Sequence, residues 1–190
     1  APLGAQRWAT LHGAARLAAG GNGHRRAQLF AEAMLGIVDE QTLRDRMTGT
    51  RHQDSVRALG LVPLPHDEPD RTAVTLDRYL TLRTFERGSA AFGSQRQASE
   101  RTAVRIGIEN LARSAGFADP QRFIWSMEAA EAGDLADRPV SVTEDDLTVT
   151  LSVDDDGQPQ LQVARDGRPL KAVPAKQRTL PSITALRDRK

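Results

Sequence analysis

The sequence predicts an α+β chain: a mainly α-helical body of about six helices followed by a C-terminal three-stranded antiparallel β-meander. Up to about residue 132, apolar residues recur every three or four positions, which is the helical period. After Pro139 the period drops to two, with Leu147, Val149, Leu151 and Val153 alternating with Thr148, Thr150 and Ser152. Asp156-Gly157 and Asp166-Gly167 then fall at hairpin spacing.

In chain order, Trp8, Leu11, Ala15 and Ala18 predict an amphipathic helix over 6–19 that stops at Gly20-Gly21. A second helix is expected over 26–38, with Leu29, Phe30, Ala33, Met34 and Ile37 inward, and two short ones over 41–47 and 53–59. Pro63, Pro65 and Pro69 forbid a continuous helix, so 63–74 reads as a linker. The period returns at Thr75, with Leu76, Tyr79, Leu80 and Arg83 on one face and Leu82 and Phe85 beside it, until Gly88. Ser94 and Gln97 have capping-box spacing. Val104, Ile108, Leu111 and Ala115 make one stripe, Gly116 stops it, and Asp119-Pro120 opens a helix carrying Phe123, Ile124, Met127 and Ala130. Strands are expected at Leu147–Val153, around Leu161–Val163 and at Leu170–Val173, with a final helix from Ser182.

These elements give an N-terminal helical part (1–62), the linker (63–74), and a second part (75–190) whose meander lies within 130–175. The two parts are expected to pack as one unit excised from a longer protein. With 39% hydrophobic and 27% charged residues, the chain has the balance of a folded domain. It has no cysteine, which excludes disulfides, thiolate metal sites and thiol nucleophiles. A net charge of +1 gives no global argument for nucleic acid. No apolar run reaches the length of a membrane span, and the chain reads as cytoplasmic.

The candidate ligand-binding residues are Arg96, Gln97, Ser99, Glu100 and Arg101, within two turns of one helix start, with Arg25 and Arg26 as further anion ligands. Ser99 has no G-x-S-x-G context, so no catalytic residue is assigned. Gly20–Arg26 lacks the spacing of a phosphate loop and reads as a helix connector. His12, His24, His52 and His66 have no metal-ligand spacing, so neither a metal nor a cofactor is expected. Asp154, Asp155 and Asp156 resemble a calcium loop only at its start, since the twelfth position is Val163. From Arg165 to Lys190, eight basic residues face Asp166 and Asp188, a possible phosphate-backbone contact without an aromatic platform.

Four stretches in order, Val56–Pro65, Arg78–Ala103, Asn110–Ala129 and Leu147–Pro174, resemble a middle segment of large bacterial proteins of a domain-of-unknown-function family. That family includes molybdate metabolism regulator-like members, and many carry a WGR domain. The resemblance spans about 56–190 and implies no catalytic residue. It implies a regulatory setting in which the partners are other domains of the same long chain. Together the readings point to a non-enzymatic structural or interaction module. The alternatives are a part-site for a phosphorylated or nucleotide-like ligand at Arg96–Arg101, and nucleic-acid backbone binding by the basic tail.

Overall fold

A computed structural model describes residues 4–18, 23–154 and 156–189. The expected stop at Gly20-Gly21, Asp155 and Lys190 lie outside the described residues. Eight α-helices and four strands are present among those described, rather than about six helices and three strands. They divide into two units, Ala1–Met127 and Glu128–Lys190.

The first unit holds α1 (Gly4–Ala18), α2 (Gly23–Met34), α3 (Glu40–Thr50), α4 (Gln53–Leu59), α5 (Glu68–Gly88), α6 (Ser94–Ser114) and the start of α7 (Pro120–Asp137). A 3₁₀ turn, Ser89–Ala91, follows α5. Local chemistry sets the boundaries. The Asp39 carboxylate accepts from the backbone N–H groups of Gln41 and Thr42, capping α3. The Asp119 carboxylate accepts from Gln121 N–H at the start of α7, with Pro120 as its first residue. Gly116, at φ +89°, ends α6 while Phe117 N–H returns to the Ala112 carbonyl.

Met47, Val56, Leu59, Tyr79, Leu82, Phe85, Val104, Leu111 and Phe123 fill the main core. The α6 stripe behaves as expected: Val104, Ile108 and Leu111 are buried and Ala115 packs at the edge. On α5, Tyr79, Leu82 and Phe85 face inward, whereas Arg83 lies on the rim. A smaller core joins Leu29, Ala33, Leu43, Ala58 and Val62. α4 and α6 cross closely. A Cβ on Gly60 would lie 2.3 Å from the Gly107 carbonyl oxygen, and one on Gly107 would lie 2.7 Å from that of Val56. At the same crossing Ser114 Oγ donates to the Gly60 carbonyl, supplying a partner to the end of α4.

Several expectations are corrected. α5 begins at Glu68, so the 63–74 stretch is only briefly irregular, and prolines are tolerated because Pro69 sits in a helix's first turn. The contact division falls at 127/128, inside α7. α2 ends at Met34, leaving Met34 and Ile37 exposed instead of buried; Leu11 is exposed too. The Ser94–Gln97 capping box does not form. Gly93 takes the cap position, and the Gln97 amide donates to the Phe92 carbonyl at 2.6 Å.

The second unit is a sheet in the order β1-β2-β3-β4, all antiparallel, with α8 (Pro181–Asp188). The strands are β1 (Val140–Glu144), β2 (Leu147–Val153), β3 (Pro159–Arg165) and β4 (Arg168–Leu170). β1 was not expected, and the last strand lies at 168–170 rather than 170–173. Leu147, Val149 and Leu151 of β2 face a core completed by Leu135, Val163, Val173, Ile183 and Leu186. On its other face Thr150 and Thr148 hydrogen-bond to Ser141 and Thr143 of β1.

Candidate functional site

The stretch that opens α6 is built around one buried carboxylate. Glu100 has no exposed side-chain surface, and it accepts from Arg51 Nε at 2.9 Å, from Arg51 Nη2 at 2.5 Å and from Arg96 Nε at 3.0 Å. Arg51 follows α3 in the left-handed region (φ 52°, ψ 44°), which aims its side chain across to α6. Its guanidinium lies 4.0 Å from the Phe85 ring centre, and that of Arg96 lies 3.9 Å from the Phe92 ring centre. The hydrogen bonds from Arg51 outweigh burial and, with Arg96, hold the Glu100 carboxyl below the usual glutamate range.

A second network lies between α3 and α5. Arg78, 2% exposed, donates to Glu40 and to the carbonyls of Val62 and Pro63. Arg44 bridges Glu40, Asp77 and Thr81. Burial pushes the Glu40 carboxyl upward, but the bonds from Arg78 and Arg44 prevail and hold it low. A hollow of about 710 Å³ is bordered by Arg44, Met47, Arg51, Asp77 and Phe85. Two of its charged groups, Arg44 and Asp77, are paired with each other, and Arg51 is turned to Glu100.

The structure therefore places the expected residues in four different settings. Arg96 and Glu100 are joined as an internal pair. Ser99 Oγ donates to Gln53 at 2.9 Å and Arg26 pairs with Asp54 at 2.8 Å, so both attach to the start of α4. Arg25 is exposed on α2. Gln97 and Arg101 border a separate small hollow of about 270 Å³ with Arg83, Glu86, Arg87 and Ser89. Arg51, Arg78 and the Arg83/Arg87 pair escaped the sequence reading. The signal available for the last two was their four-residue spacing on α5, matched by Gln97 and Arg101 on α6.

Elsewhere, His52 caps α4 through Nδ1, and His12 stacks on His24 with ring centres 4.7 Å apart. No group of three or more metal-ligating residues occurs among the described residues. The Asp154 carboxylate accepts from the Asp156 and Gln158 N–H groups, as a turn residue does. Within the basic tail, Arg178 donates to the Val173 carbonyl, Arg165 pairs with Asp146, and Arg189 pairs with Asp134. No helix among the described residues is long and apolar enough to cross a membrane.

No curated protein and no solved structure matches the chain. A family of unknown function, DUF5724, matches residues 1–127. That range takes in the stretch before Val56 and stops before the sheet. With two thirds of its length matched, the chain belongs to the DUF5724 family.

Proposed function

We propose that the chain is a non-enzymatic interaction module of a larger, multidomain, bacterial cytoplasmic protein, and that it docks on another domain of that protein. The observation that carries this reading is a group of exposed apolar residues on α1, at the end of α2 and just after it. Leu11, Met34 and Ile37 are 54%, 60% and 61% exposed, and Leu35 is 38% exposed. Met34 and Leu35 also line an apolar hollow of about 330 Å³ with Trp8, Ala27, Phe30 and Ala31. Exposed apolar side chains grouped at such a hollow mark contact sites more often than scattered single residues do. The internal pairing of Arg96 with Glu100 and of Arg44 with Glu40 supports a structural role for the polar clusters. The resemblance to WGR-associated, molybdate regulator-like proteins supports a regulatory role for the whole.

The test mixes the chain with the separately produced remainder of its longer protein and measures association by sedimentation. Wild type should co-sediment, and the double variant Met34→Glu/Ile37→Glu should not, while keeping its helical circular dichroism. Absence of association, or association that ignores the double variant, would reject the docking face.

A further inference from the structure

We propose that the hollow between the end of α5 and the start of α6 binds a phosphate dianion, either inorganic phosphate or the phosphoryl group of a small monoester. This site is separate from the apolar face and does not depend on it.

Charge is the first argument. Arg83, Arg87 and Arg101 border the hollow and Glu86 is its only lining acid among the described residues. Glu86 takes one N–H of Arg83 at 2.9 Å. Among the described residues Arg87 donates only to the neutral Thr84 hydroxyl, and the exposed Arg101 forms no ion pair. Several other arginines of this unit are matched with acids, as in Arg51–Glu100, Arg78–Glu40 and Arg105–Glu109. Three guanidiniums against one carboxylate leave an excess of about two positive charges in a chain whose net charge is +1. The α5 C-terminus opposes this with only about half a negative charge, offset by the N-terminus of α6.

The second argument is Ser89. It lines the hollow, and its hydroxyl makes no hydrogen bond to a described residue, which leaves it free to donate into the hollow. A phosphate oxygen placed there would accept from it, with forked donors from the arginines around it. Gln97 is held by its bond to the Phe92 carbonyl, which leaves its amide oxygen for a hydroxyl on the ester.

The surroundings select the ligand. Across Arg83 and Arg101 the adjacent hollow adds Arg105 but also Glu109 and Asp119, so positive charge does not continue along the surface. A nucleic-acid backbone needs successive neutralised phosphates. A volume of 270 Å³ lies below the roughly 300–1,000 Å³ of ordinary ligand pockets, which suits one phosphoryl group with a small substituent.

Isothermal titration of the chain with inorganic phosphate and with glycerol phosphate, at constant ionic strength, tests the site. Saturable binding is expected, weakened roughly tenfold or more by Arg101→Gln and by Ser89→Ala, and unchanged in Arg105→Gln. Tighter binding of glycerol phosphate assigns the site to a monoester, and equal binding assigns it to phosphate itself. The Arg101 side chain makes no hydrogen bond or ion pair to a described residue, so Arg101→Gln should melt like wild type without ligand. Absence of saturable binding by the folded chain overturns the proposal. So does an equal loss in Arg105→Gln, or displacement of phosphate by an oligonucleotide with steep salt dependence, which would give the surface to nucleic acid.

Discussion

Glu100 shows how a residue that looks like a ligand becomes part of the frame. Its carboxylate is fully buried, and both of its cationic partners reach it over aromatic rings. Glu100→Ala would leave Arg51 uncompensated and should cost about 3 kcal/mol in urea denaturation, since breaking a buried pair is far more harmful than replacing it whole. The same pair sets an acid limit. The folded carboxyl is held below 4.5, the ordinary glutamate value. Its stabilisation is complete above about pH 4.5 and drains away as the pH falls through the lower folded value. Glu100→Gln should therefore melt lower than wild type at neutral pH and lose less on acidification, as thermal melts across that range will show. At this scale the sequence revealed the polar composition of 96–101 but not its partners. Arg51 lies 49 residues from Glu100 in the chain, and no local spacing encodes that meeting.

Among the elements, the α4–α6 crossing is the most exacting. Only hydrogen atoms fit where Gly107 faces the Val56 carbonyl, and the Leu82 side chain closes the other side at 3.1 Å. Gly107→Ala should lose about 1–3 kcal/mol by overpacking, read as a lower urea midpoint with an unchanged slope. The apolar stripe of α6 was legible because 3.6-residue periodicity records a single buried face directly. The helix start was not. Ser94 and Gln97 fit a capping pattern, yet Gly93 adopts the extended cap geometry, puts Ser94 inside the helix and leaves no capping box. β1 was missed because the turn into β2 is Asp145-Asp146, with no glycine to announce it, and Asp145 itself takes φ +53°. The Val140/Val142 alternation with Ser141 and Thr143 was present in the sequence all along.

For the whole molecule, the compact helical unit and the family match both end at residue 127. Composition gives no hint of this boundary, because it falls within α7, where the sequence stays helical. The prolines at 63 and 65 attracted the linker reading instead, and the reason they mislead is Arg78. That guanidinium, almost wholly buried, holds the carbonyls of Val62 and Pro63 while Val62 and Leu64 pack against the two cores. A protease sees the result more plainly than composition does. Thermolysin, which favours bonds beside Leu and Val in mobile backbone, should leave Leu61–Leu64 uncut in the native chain, and Arg78→Ala should open that segment to it. Rapid cleavage there in the native chain would show that the segment is not held. The stretch that looks most severable in the sequence is thus a poor place to divide the polypeptide, because pieces cut there would separate a buried cation from the oxygens that hold it.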